Sequence, residues 1–160
     1  MNNIKIIKSK ERDLPEVLRF IAENFHPEIS KHLPDLGSSS DIDFDSFINY
    51  FLKLNKLDIP NCIYIAYDKD KIVGAVSGKI EKHPWFYYKR GQEHFWFVKK
   101  EYRKSECGQA LFDKLIKWFK ENNADKIQMS HYSWNNSLSK FYNKNGLIPY
   151  ETHYILKERN

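Results

Sequence analysis

Hydrophobic and polar positions along the chain change period several times. "NIKIIKSK" alternates and reads as a first strand. From Asp13 the period lengthens: Val17, Leu18, Ile21 and Phe25 form the apolar stripe of a helix. Asp13 with Glu16 predicts a capping box there, and Pro15 is tolerated in the first turn. "HPEISKHLPDLGSSSD" carries two prolines, a glycine and three successive serines, and reads as a loop or broken helix. Phe44, Phe47, Ile48 and Phe51 then mark a second helix.

"NCIYIAYD", "DKDK" and "KIVGAVSGKI" predict strand, turn and strand. "EKHPWFYYKRGQ" is a longer connection into another strand, "EHFWFVKK". Ser105 is placed to cap the next helix, whose buried face holds Cys107, Leu111, Leu115 and Trp118. "ADKIQMSHY" predicts a strand, "NNSLSKFYNKN" a short helix ended by Gly146 in a left-handed cap, and "LIPYETHYILK" a last strand. The order β-α-α-β-β-β-α-β-α-β implies a single α/β domain over residues 1–160, without repeats or linkers.

Composition adds little to the fold and something to function. The 11 Phe, 10 Tyr and 4 Trp exceed what one core requires, leaving rings for a ligand cleft or partner surface. "HPWFYYKR", four successive aromatics beside Lys89 and Arg90, suits a lid or interface, or a hairpin end packing its rings on the sheet. A net charge of +5 favours an anionic ligand. The basic residues are scattered, however, and no aromatic nucleic-acid-binding pattern accompanies them, so nucleic acid is not the expected partner. The 2 cysteines, Cys62 and Cys107, match neither a disulfide framework nor a metal site. No apolar run suits a signal peptide or membrane span, so the expected setting is cytoplasmic, without membrane or metal.

The stretch "FWFVKKEYRKSECGQALFDKL" passes from a strand through a basic turn into a helix start. Helix N-termini present unpaired N–H groups and positive potential, so the turn, with Lys99, Lys100, Arg103 and Lys104, is a candidate anion site. A lysine-rich solvated turn is the bland alternative. "VKKEYRKSECGQAL" resembles the acyl-CoA-binding motif of the GNAT superfamily of N-acyltransferases, V-x-P-x-x-R-G-x-G-x-G/A-x-x-L, with Val98, Arg103, Gly108 and Leu111 in register. "NNSLSKFYNKNGL" resembles that family's second motif on Asn136, Phe141, Tyr142, Gly146 and Leu147, with Ser139 as its small residue.

The resemblance covers nearly the whole chain and implies a three-layer αβα fold. Its sheet is mixed and mostly antiparallel, with about six strands, four helices and splayed central strands. It implies acetyl-CoA as cosubstrate, transfer to an amine by direct attack in a ternary complex, and an acceptor that is a small molecule or a protein. Pantetheine would follow the backbone at Phe97 and Val98, and pyrophosphate the turn through Arg103, Lys104, Cys107, Gly108 and Gln109. Asn136 would contact the CoA arm. Tyr142 would protonate the leaving thiolate, or else be an ordinary core tyrosine.

His94, on the strand before Val98, is a candidate base, with His131 as a second; each is equally consistent with a hydrogen-bonded strand histidine. Alternation places Glu93 on the opposite face from His94.

One departure from the motif bears on activity: Glu106 stands where glycine is expected. Its carboxylate either points to solvent, or fills the anion site and leaves a non-catalytic binding or assembly protein of the same fold. Short chains with a similar ending, "P-x-E-x-H-Y", occur among tailed-bacteriophage proteins, so a virion or host-cell setting is the alternative. The acceptor region after Gly146 is short, which leaves a homodimer open.

Overall fold

The computed structural model describes residues 4–32 and 42–153. The chain forms two compact units, Met1–Met129 and Ser130–Asn160. In the first, five strands lie in the order β1 (Ile4–Lys8), β2 (Asn61–Asp68), β3 (Lys71–Lys82), β4 (Lys89–Val98) and β5 (Lys126–Gln128). β1 to β4 are antiparallel neighbours, and β5 joins β4 in parallel. A parallel neighbour needs a crossover, which helix α4 (Cys107–Glu121) supplies.

Both sheet faces are covered. Leu14, Val17 and Phe20 of α1 (Leu14–Phe20) and Phe51 and Leu54 of α3 (Phe44–Lys56) pack on Ile63, Ile65, Ala75, Phe95 and Phe97. Leu111, Leu115 and Phe119 of α4 pack on Cys62, Ala66, Val73, Val76 and Ile80. This is the expected αβα layering. Phe119 sits deepest, above Gly78 and Gly91, where an added Cβ would stand 2.6 Å from its ring. The two glycines fix how closely α4 approaches the sheet.

Several local expectations need correction. Asp13 does not cap a helix with Glu16; its carboxylate accepts the Lys10 N–H at 2.7 Å, closing a 3₁₀ turn (Glu11–Asp13) that leads into α1. α1 then continues through a π turn, Ile21–Phe25, into α2 (His26–Ile29). Pro27 explains the wide turn: it lacks an N–H and its ring crowds the carbonyl four residues back, and an extra residue per turn makes room. The rest of the predicted loop, 33–41, lies outside the described residues. α3 starts as its sequence suggests, with Asp43 accepting from the Ser46 N–H at 2.8 Å.

β4 begins at Lys89, four residues earlier than its pattern indicated, because the 83–88 connection is compact. His83, Phe86 and Tyr88 stack on one another there, and the His83 N–H donates to the Tyr88 carbonyl. The tip does not pack on the sheet: Trp85 is 84% exposed, Phe86 61%, and Tyr87 fully.

In the second unit α5 (Asn136–Lys144) ends in a Schellman cap. Gly146, at φ +82°, gives its N–H to the Asn143 carbonyl, and Leu147 gives its own to Tyr142. Residues 147–153 form no strand, and the remainder of the expected sixth strand lies outside the described residues.

Candidate active site

β4 is the element on which the site is organised. Its ladder with β5 covers only Arg90–Lys126, Gly91–Ile127 and Gln92–Gln128, after which β4 runs six residues further without it. At the same point the register with β3 slips. Ser77 faces Phe95 while Gly78 faces Glu93, so His94 is the extra residue of a β-bulge. A bulge bends its strand and re-aims side chains. Pairing with β5 ends at Gln92, two residues before it, and β5 is three residues long rather than nine.

Beyond Val98 the chain makes a 3₁₀ turn (Lys100–Tyr102) and enters α4. Arg103 locks this turn. Its Nε donates to the Val98 carbonyl at 2.8 Å, its two terminal nitrogens hold the Glu28 carboxylate at 2.9 and 2.5 Å, and its guanidinium lies 5.2 Å over the Phe97 ring. Tyr102 ties the turn to β2 through Asp68, at 2.8 Å. Ser105 accepts the Cys107 N–H at 3.2 Å, while Glu106 is the N-cap residue by position. The Glu106 side chain is exposed and makes no capping hydrogen bond, so it does not occupy the helix N-terminus.

Lys104 is exposed, and a Cβ on Gly108 would meet only Trp96, at 3.8 Å. A side chain at position 108 would therefore meet the Trp96 ring at ordinary contact distance. The Cys107 side chain is buried, and burial pushes its thiol up to about 11; Cys62 is pushed up to about 12 in the same way. Neither is a ready nucleophile. Gln109 is held along the helix by Asp113, at 2.9 Å.

The bulge opens a cleft of about 470 Å³ between α3 and β4, lined by Phe47, Tyr50, Phe51, Lys79, Gln92, Glu93, His94 and Phe95. Strict alternation would send His94 towards α4, with Trp96. Instead its ring meets Tyr50 and Phe51 of α3. Glu93 borders the same cleft, but it pairs with Gly78, whose Cβ direction meets Phe119 and Leu115 of α4, so it lies on the opposite face of the sheet from His94, as alternation implies. His94 Nε2 lies 2.9 Å from the Tyr50 hydroxyl, and Nδ1 3.4 Å from Ser77 Oγ. Burial, reinforced by the Lys79 ammonium and opposed by Glu81, holds the His94 pKa down at about 4. Lys79 pairs with Glu81 at 2.8 Å, and Arg90 reaches the other oxygen of that carboxylate at 2.7 Å.

The model of the acetyltransferase (GNAT) family matches residues 22–147. The chain belongs to the GNAT family. No curated protein matches the sequence. Among solved structures, the GNAT chain is similar to a tetramutant of the BH1408 protein of Bacillus halodurans, with a TM-score of 0.77 at 17% identity, covering 96% of this chain and 99% of that one. It is also similar to a predicted acetyltransferase of Clostridium acetobutylicum solved with acetyl-CoA, with a TM-score of 0.71 at 18% identity and 96% of each chain covered. A third is an aminoglycoside acetyltransferase from an uncultured soil metagenomic sample in complex with sisomicin, with a TM-score of 0.70 at 15% identity, covering 99% and 98%. At these identities the likeness is one of fold.

In the second unit of the GNAT chain, Tyr142 is 5% exposed and its hydroxyl donates to the Ser130 carbonyl at 3.0 Å. His131, exposed, has its ring 6.0 Å from that of Tyr142. The asparagine that starts α5 is Asn135, accepting the Leu138 N–H at 3.1 Å; Asn136 is the exposed first residue of the helix. Sequence reading missed Tyr50, Ser77 and Lys79. The only signal for Tyr50 was a polar-tipped aromatic between Phe47 and Phe51 on an otherwise apolar stripe. Among the described residues no helix is long and apolar enough to cross a membrane, and no group of three His, Cys, Asp or Glu could hold a metal.

Proposed function

We propose that this protein is an acetyl-CoA-dependent N-acetyltransferase acting by direct attack of a primary amine in a ternary complex. The observation that carries the reading is the end of the β4–β5 ladder just before the His94 bulge, on the strand that leads into a basic turn and the start of α4. Family membership and the fold shared with an acetyl-CoA complex support it. We treat residues 1–160 as one acetyltransferase domain, since the family match runs through both compact units.

When bound, acetyl-CoA supplies a thioester carbon as electrophile. Backbone at Phe97 and Val98 would hold the pantetheine arm. The turn from Arg103 through Lys104, Cys107, Gly108 and Gln109 would take the pyrophosphate. Arg103 serves there mainly as the clamp of the turn, because Glu28 and Val98 already engage its nitrogens. Lys104 adds charge, and Asn136 would touch the CoA arm. Tyr142 would hold a phenolic proton for the departing sulfur, the proton it now gives to Ser130. His94 stays neutral across the physiological range and serves as a hydrogen-bonding group rather than a strong base. The free, buried cysteines suit a reducing, cytoplasmic setting.

Calorimetric titration with acetyl-CoA tests the reading first, and absence of binding at millimolar cofactor would end it. For Tyr142→Phe, kcat should fall roughly 10- to 10⁴-fold with little change in cofactor affinity. Unchanged turnover would remove Tyr142 from the mechanism. Binding with no turnover of any amine would leave a binding protein of GNAT fold.

A further inference from the structure

We propose that Tyr50 of α3 is the group that meets the acceptor amine, and that its cleft selects a weakly basic primary amine carried on an apolar body. This rests on the acetyltransferase reading above. His94 has no free approach to an acceptor: Nε2 is taken by Tyr50 at 2.9 Å, and Nδ1 faces Ser77, which is fully buried. Tyr50 is the accessible end of this chain, 40% exposed at the cleft wall.

The network fixes its direction. Lys79 pairs with Glu81 at 2.8 Å and stands near the Tyr50 hydroxyl. A nearby ammonium favours the hydroxyl orientation that turns the Tyr50 oxygen towards Lys79 and its hydrogen towards His94 Nε2. His94 then carries its proton on Nδ1, towards Ser77. One lone-pair direction remains on the Tyr50 oxygen, and it suits an N–H donated by an incoming amine. His94 acts through Tyr50 and is a positioning residue.

The charged and titratable groups around His94 are Tyr50 from α3, Lys79 and Glu81 from β3, and Glu93 beside it on β4. They offer no strong base for an ammonium proton. Lys79, next to the Tyr50 oxygen, further disfavours a cation at that point. The amine that binds productively is the uncharged one, so weakly basic amines are favoured. Among the described residues that line the cleft, Lys79 and Glu93 carry one charge of each sign, which gives a polycation no surplus negative charge to bind. Its walls are the rings of Phe47, Phe51 and Phe95, which suit an apolar body.

The test compares L-phenylalaninamide, a weakly basic amine with an aromatic body, with spermidine, and wild type with Tyr50→Phe and His94→Gln. The inference expects the aromatic amine to be preferred at least about tenfold in kcat/KM. It expects Tyr50→Phe to lose about tenfold or more on that substrate, and His94→Gln to lose less. The rate should rise with pH towards the amine's own pKa without a histidine inflection. ¹⁵N imidazole NMR supplies a readout independent of turnover. Wild-type His94 stays neutral, protonated on Nδ1, as the pH is lowered to about 5, and Tyr50→Phe moves its midpoint up towards the ordinary histidine range. A preference for spermidine, a larger loss in His94→Gln, or a His94 midpoint indifferent to Tyr50→Phe overturns the inference, as does failure to acetylate L-phenylalaninamide by protein that binds acetyl-CoA. Failure to bind acetyl-CoA at all removes the acetyltransferase reading itself, and this inference with it.

Discussion

On the function proposed above, residues 99–109 would work through main-chain N–H groups at a helix start, whereas the His94 bulge would work through side chains drawn from α3, β3 and β4. The two regions tolerate change differently. A main-chain site keeps its donors whatever side chains surround it, provided the backbone path is held, and here Arg103 holds it. Glu106 is accommodated because its carboxylate leaves the helix N-terminus alone. A side-chain site has no such reserve: each of Tyr50, His94 and Lys79 is positioned by another.

The largest expected effect is on the side-chain region. His94 is kept neutral when folded, with a pKa of about 4, against about 6.5 when unfolded. Its contribution to stability is unchanged above pH about 6.5. As pH falls towards about 4 the unfolded chain takes up a proton that the fold refuses, and stability drops. Allowing for partial solvent access, wild type should lose about 1–3 kcal/mol more than His94→Gln between pH 7.5 and pH 4.5. Urea denaturation at the two pH values measures it; parallel losses would show that the cleft does not desolvate the ring.

Removing the clamp of the main-chain region comes next. In Arg103→Ala the turn loses its ties to Val98 and Glu28, and acetyl-CoA affinity should fall by about tenfold, or about 1.4 kcal/mol. Glu28→Gln should cost less, because the Val98 bond survives. If it cost as much, or if neither mattered, the clamp would not be what holds the backbone path. The smallest effect expected is that of Glu106→Gly, under about threefold in acetyl-CoA affinity, or less than about 1 kcal/mol. A tenfold gain would mean that the carboxylate reaches the phosphate site after all.

What was legible in the sequence divides along the same line. The α4 stripe was readable because Cys107, Leu111, Leu115 and Trp118 recur at helical spacing, and all four are buried. The strand–turn–helix passage was readable because its residues mark each element: Val98 ends β4, and Gly108 and Leu111 lie in the first turns of α4. The bulge was invisible. Alternation assumes one residue per position, and nothing local shows that β4 carries an extra residue at His94. Glu93 does lie opposite His94, but Phe95 and His94 share a face, and β5 was drawn too long. Tyr50 was passed over because its role depends on His94 of β4, 44 positions away in sequence. The Asp13 cap failed for a local reason: Lys10 competes for the same carboxylate and wins.

The π turn at Ile21–Phe25 has a consequence for how this chain tolerates insertion and deletion. His26 gives its N–H to Ile21, five residues back, so the turn carries one residue more than an α-helical one. Each helical residue advances the direction of its side chain by about 100°. Deleting one residue between 21 and 25 would restore a regular helix, and every later side chain of α2 would turn by about that angle. Glu28 would then point away from Arg103, and a helix more regular than the natural one would leave the turn without its partner. Frame, as much as residue identity, is what Glu28 supplies to the site.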